Sequence, residues 1–353
     1  MSDSCQSGQH SRRHFLRRIG GALTVVAGAT AGGLWLHDRT GHGGLARSAP
    51  LKLKNYFESI DYPASGPRIS VARGRNVAKM VAAALEPMGG IRRFVSAGDV
   101  VLLKPNVAFD RSPQMGATTS PELVAAVATL CRKAGAKKVI VADNPIESPE
   151  SCFAKSGIAQ AARATGAVLL LPSANQFREV AIRDRSPNVG QGEVLGTWPI
   201  FWRPLAEADK VIGLPAVKDH NLCYASMAMK NWYGLLGGRR NQFHQAIHET
   251  VSDLGYMISP TLIIADGTRV LMRNGPTGGR LDDVRAANTI VASIDQVACD
   301  AWCYQHLLLR DPARLKYLEL AWDKFGRHGR DHRPGQPDWQ EYQRQGLIAE
   351  VNV

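Results

Sequence analysis

The chain has 353 residues, 44% of them apolar and only 7% aromatic, enough to bury a full core as one large domain or two lobes, which argues against disorder. The formal net charge is +12, and six arginines against two aspartates in residues 1–49 hold about a third of that excess. What remains is moderate, and no Lys/Arg run with interleaved aromatics is present, which argues against nucleic acid as a partner.

The N-terminal stretch "SRRHFLRRIGGALTVVAGATAGGLWL" sets Arg12-Arg13 ahead of Phe15-Leu16 and an uncharged Gly/Ala-rich run from Ile19 to Leu36. That order resembles a twin-arginine export signal, S-R-R-x-F-L, and is kept out of fold reasoning. The resemblance implies the twin-arginine translocase as a partner and a periplasmic or exported location. The run is long enough to span a bilayer, and "HDRTGHGGLARSAP" offers no clean cleavage site, so an uncleaved membrane anchor is a further expectation. The competing reading is a basic amphipathic arm on a cytoplasmic protein. Residues 1–49 are therefore expected to be leader and linker, 50–310 an α/β domain, and 311–353 a basic C-terminal helix and tail.

From Pro67 onward, β-branched runs alternate with Ala-rich helical windows. "RISVARG" reads as a strand, "NVAKMVAAALEPM" as a helix broken near Pro87, and "DVVLLKPN" as a strand. "SPELVAAVATLCRKAG" reads as a helix with Ser120 as N-cap, Pro121 at its first position and Gly135 past its end. "AKKVIVADNP" is a strand, "SCFAKSGIAQAARATG" a helix, and "AVLLL" a strand. "REVAIRD" and "GEVLGTWPIF" suggest a small antiparallel extension. The strand "DKVIGLP" precedes helices around Ser226 to Leu236 and Phe243 to Met257. The strands "TLIIAD" and "NTIVAS" precede the helix "DQVACDAWCYQHLL". Near the end, "RHGRDHRPGQPDW" reads as a mobile surface loop. This alternation predicts an α/β fold with a mostly parallel sheet, helices on both faces and a small antiparallel extension.

In such sheets ligands lie beyond the carboxyl ends of the strands. Four predicted strands end in charge: Lys104 and Asn106 after "VVLL", Asp143 and Asn144 after "VIVA", Lys218 and His220 after "VIGLPAV", and Asp266 after "LIIA". Taken singly, each is a solvated loop charge or a structural ion pair. Together they predict a composite rim. Lys104, Lys218 and Lys230, with Asn106, Asn144 and Asn231, are suited to a carboxylate or phosphate. His220, Asp143 and Asp266 are suited to proton transfer. The "RNGPTGGRLDD" loop, with Asn274 and Thr277, offers backbone amides to the same anion, or is a plain surface turn. His244 and His248, four apart on an expected helix, would share a face and could join His220 around a divalent metal, or be surface residues. As exposed positions, Lys218 and His220 are expected to tolerate alanine within about 1 kcal/mol.

The six cysteines (Cys5, Cys131, Cys152, Cys223, Cys299 and Cys303) form no C-x-x-C pair, so no intrinsic iron–sulfur or zinc motif is legible. Fingerprints for dinucleotides, P-loops and nucleophile elbows are absent as well.

Taken in order, "FVSAGDVVLLKPNVAF", "KKVIVADNP", "ADKVIGLPAVKDH", "MKNWYGLLGG", "FHQAIHETVSDL" and "IIADGTRVLMRNGPTGG" resemble the domain of unknown function 362 family from about Arg68 to Leu307. Its motifs K-P-N, K-x-H, M-K-N-x-Y-G and N-G-P-T-x-G fall on Lys104, Asn106, Lys218, His220, Lys230, Asn231, Gly234, Asn274, Gly275, Pro276 and Thr277. Some family members carry ferredoxin-like modules, which implies redox-linked metabolism with an iron–sulfur partner protein. A more distant likeness in plan is to lactate-racemase-type proteins, which use a lysine and histidines around a nickel cofactor. The reading is an exported enzyme that binds a small anionic substrate or a metal or redox cofactor. The alternatives are a non-catalytic metabolite or cofactor carrier and an assembly factor for a periplasmic redox complex.

Overall fold

The computed structural model describes residues 16–17, 20, 23–33, 49–182, 194–325 and 338–353. The paired arginines and the "RHGRDHRPGQP" segment lie outside them. Among the described residues no helix is long and apolar enough to cross a membrane.

The chain forms an α/β fold around a ten-stranded sheet. Its strands are β1 (Ile69–Arg73), β2 (Val100–Pro105), β3 (Lys138–Ala142), β4 (Val168–Leu170), β7 (Lys210–Leu214), β8 (Ala216–His220), β9 (Tyr224–Ser226), β10 (Leu262–Leu271), β11 (Val284–Ser293) and β12 (Ile348–Asn352). The order is β12-β1-β11-β10-β7-β2-β3-β4, with β8 paired to β10 and to β9. Within that row β11 alone runs against its neighbours, so the sheet is mostly parallel, as the βα alternation predicts. β5 (Phe177–Ala181) and β6 (Thr197–Phe201) form the separate antiparallel pair expected from "REVAIRD" and "GTWPIF".

Strand periodicity divides the core between the two faces. On β2, Val101 and Leu103 pack with α1 (Val77–Leu85) and α2 (Pro121–Lys133), whereas Leu102 faces the layer that holds Trp198, Trp232 and Trp302. The second face is covered by β5–β6, α5 (Trp202–Glu207), α6 (Ala228–Asn231), α7 (Ile247–Met257), α8 (Gln296–His306) and α9 (Lys316–Phe325). The expected cap forms, Ser120 Oγ accepting from the Leu123 amide with Pro121 at the first helical position, and Asp295 likewise accepts from the Val297 and Ala298 amides.

Three elements differ from expectation for local reasons. The helix read across "SCFAKSGIAQAARATG" is two, α3 (Pro149–Lys155) and α4 (Ile158–Ala164), because Gly157 takes φ +74° between them. The strand containing "TLIIAD" continues to Leu271 through an irregularity between Gly267 and Arg269, which leaves Asp266 in mid-strand. After β7 the chain bends at Pro215 and resumes as β8 alongside the distal half of β10, turning back as β9. This small hairpin carries Lys218 and His220 beyond the end of β7.

Candidate functional site

The C-terminal ends of β2 and β3, the β8–β9 hairpin and the turn after α6 enclose a polar cavity of 70 Å³. Lys104, Asn106, Asp143, Asn144, Lys218, His220, Lys230, Asn231 and His244 all line it, nine of the residues proposed from sequence. A larger open groove of 880 Å³ lies between α1 and α2, walled by alanines, Arg75, Lys79, Lys133 and Arg269. None of the proposed site residues reaches it. The smaller cavity is the candidate site because its charges are buried and convergent.

Lys104 follows Leu102 on the same face of β2 and is only 1% exposed. Its Nζ lies 2.6 Å from Asp143 Oδ1, 2.8 Å from the Pro105 carbonyl and 3.1 Å from Asn231 Oδ1. Burial pushes this amine down and Asp143 pulls it back up; three acceptors for three N–H bonds fit an ammonium. Asp143, just past β3, is saturated in turn: Oδ2 accepts from the Val107 amide at 2.7 Å and Oδ1 from the Asn144 amide at 3.0 Å. Asn231 Nδ2 closes the ring on the Lys104 carbonyl at 2.9 Å. Gly234 sits against this pair, since a Cβ there would lie 1.9 Å from Asp143 Oδ1 and 2.7 Å from Lys104 Nζ.

Lys218 and His220, two apart on β8, project to the same side. They are 1% and 4% exposed, so the expectation that they behave as surface charges is corrected. Lys218 Nζ donates to Asn106 Oδ1 at 3.0 Å and to the Ala117 carbonyl, and lies 5.1 Å from the Phe109 ring centre. Burial, and then the Lys230 charge, pull the Lys218 amine down to about 7. His220 Nδ1 accepts the Leu222 amide at 3.1 Å, so the ring proton resides on Nε2, which meets no acceptor among the described residues. Burial first, then Lys230 and Lys218, push this imidazole down to about 2.

Lys230 and Asn231 end α6, whose first turn is pinned by a residue not picked out from sequence. The Asp300 carboxylate of α8 accepts the Ala228 and Met229 amides and the Tyr317 hydroxyl. Burial raises this carboxyl to about 7 despite those donors. Lys230 Nζ lies 4.7 Å from the Tyr233 ring centre and meets no hydrogen-bond acceptor among the described residues. Arg240, also not picked out, donates to the carbonyls of Tyr233, Leu236 and Pro145, which adds a partly buried cation to the wall. Tyr233 falls inside the M-K-N-x-Y-G motif and was legible there. Arg240 carried no signal beyond "GGRRN".

Four proposed residues are not brought to this cavity. Asp266 Oδ2 accepts the Ser120 amide, and its Oδ1 accepts both the amide and the hydroxyl of Thr268, so it secures the start of α2. The glycine loop is not an amide nest: the Gly275 N–H is taken by Asp219 Oδ2 and the Gly278 N–H by the Asn274 carbonyl. Asn274 Nδ2 binds Asp283, and from this loop Pro276, not Thr277, reaches the cavity. His248 lies 6.0 and 6.3 Å from the ring centres of Tyr224 and Tyr317 and does not line the cavity. A 3₁₀ segment (Arg240–Ala246) gives way to α7 at Ile247, so the four-residue spacing does not place His244 and His248 on one face. Among the described residues, no three His, Cys, Asp or Glu side chains gather where a metal could be held.

The sequence model of the family described as "domain of unknown function (DUF362)" matches residues 101–305, which span the cavity and most of the sheet. The chain belongs to this family. A thylakoid-associated protein of Synechocystis sp. is 30% identical over 250 residues, 69% of this chain and 73% of that protein. Among solved structures, the lactate racemase apoprotein from Thermoanaerobacterium thermosaccharolyticum aligns at a TM-score of 0.34 and 14% identity. That match covers 70% of this chain and 60% of that one.

Proposed function

We propose that the cavity is the ligand site of an enzyme acting on a small carboxylate or other oxyanion. The supporting observation is a charge imbalance: Lys104, Lys218 and Lys230 are buried, and Arg240 partly buried, around a single lining aspartate, Asp143, and Lys104 already holds it. Unpaired buried cations are costly, and an anion that brings its own charge relieves that cost. Lys218 and the His220 Nε2–H are the donors left for it, with the Lys230 amine lining the same cavity. At about 30 Å³ for each water's share of liquid volume, 70 Å³ is room for about two to three waters, which limits the ligand to a small anion. Asp143 serves in this reading as the counter-ion that keeps Lys104 charged.

Calorimetric titration with sulfate, acetate and neutral acetamide tests the reading. Binding of either anion, weakened by Lys218→Met and absent for acetamide, is the expected outcome. Equal binding of acetamide and acetate would refute it. The same proposal places the protein outside the cytoplasmic membrane, on the strength of the twin arginines and the thylakoid-associated name of its relative. Cell fractionation of the full chain against an Arg12→Lys, Arg13→Lys variant tests that placement, and an unchanged distribution would contradict it.

A further inference from the structure

The three buried lysines differ in how many acceptors each amine meets, and the difference sorts their chemistry. Lys104 Nζ has three, which suits an ammonium. Lys218 Nζ has two and the face of Phe109. Lys230 is 8% exposed yet has no oxygen or nitrogen acceptor among the described residues, only the Tyr233 ring. An ammonium here is met by the face of the Tyr233 ring alone, whereas an amine has a lone pair to direct into the cavity that Lys230 lines. Burial together with the Arg240 charge moves the Lys230 amine in that same direction, downward. A lysine desolvated beside another cation is an activated nucleophile.

We propose that Lys230 forms a Schiff base with the carbonyl of a small 2-oxo acid whose carboxylate is held by Lys218 and His220. This rests on the anion reading above and names the substrate class. The Nζ lone pair attacks the carbonyl carbon, a C–N bond forms and the C=O π bond opens to a carbinolamine. Both amine protons then leave with the carbonyl oxygen as water, which gives the C=N bond with no change of oxidation state. Lys104 is excluded from this role by Asp143, and Tyr233 lies where it can flank the imine.

The test is to incubate the full-length protein with pyruvate and sodium borohydride, then to map the adduct by peptide mass. One reduced pyruvyl group on Lys230, suppressed by excess sulfate, is expected. Lys230→Arg should lose at least about tenfold of the labelling. Labelling spread over surface lysines, or undiminished in Lys230→Arg, overturns the proposal. If that variant does not fold, the wild-type peptide map and sulfate protection decide alone. Should acetate and sulfate bind without any adduct at Lys230, this inference fails and the anion reading stands; should neither bind, the anion reading itself fails.

Discussion

Replacing Gly234 by alanine tests whether the Lys104–Asp143 pair is the fixed element of the site. The added Cβ would lie 1.9 Å from Asp143 Oδ1, where real contacts stay beyond 3.0 Å, so the carboxylate has to retreat by about 1 Å. It has little freedom to do so. Oδ2 is tied to the Val107 amide at 2.7 Å, and the approach of Lys104 Nζ, at 2.6 Å, is itself within 2.7 Å of the new methyl. Removing one partner of a buried ion pair costs about 3–5 kcal/mol, which sets the scale for forcing the carboxylate off Lys104. Urea unfolding of Gly234→Ala should show a loss of that order and weakened acetate binding. Gly279→Ala, with nothing within 4 Å of its added methyl, is the matched control and should change stability by less than about 0.5 kcal/mol. A Gly234→Ala protein within about 1 kcal/mol of wild type, with unchanged anion affinity, would refute the reasoning.

Other consequences concern pH and the residues outside the cavity. His220 stays neutral when folded, down to about 2, whereas its unfolded imidazole takes a proton near 6.5, so the unfolded state binds more protons below that value. Folding stability therefore falls on acidification, and between pH 7 and 5 wild type should lose about 2 kcal/mol more than His220→Gln in urea titrations. An anion beside Lys218 raises an amine that sits at about 7 in the free protein, so binding takes up a proton. Affinity for acetate should then decline above pH 7, by up to about tenfold per unit, and a flat profile to pH 9 would count against Lys218 as anchor. Asp266→Ala removes an acceptor of three hydrogen bonds at a site 3% exposed, and should cost about 2–4 kcal/mol in stability with acetate affinity kept within about twofold.

The strands and most helices were legible because the relevant physics is local. Alternation in "VVLLKPN" and "VIVADNP" fixed which side chains face each layer, and Ser120-Pro121 marked a helix start. The same local signal placed Lys104, Asp143 and Lys218 at strand ends, and the fold brings them together. It failed for Asp266, because the strand runs on past it for five residues, and for His248, because a 3₁₀ segment shifts the phase between the two histidines. Burial of Lys218 was equally hidden: the acceptors that allow it, Asn106 and Ala117, are more than a hundred residues away in sequence. Asp300 lay within an apolar helix with no mark of its contact to α6.

The central claim is that an anion completes the charge of this pocket and is held by Lys218. The most direct measurement is calorimetric titration of sulfate, which does not itself titrate near neutrality, at pH 7.5 in buffers of different ionisation enthalpy. Wild type should take up a substantial fraction of one proton for each sulfate bound. Lys218→Met should bind about 30- to 100-fold more weakly and take up less. Sulfate bound equally well by both proteins, with no proton uptake by either, would contradict the account.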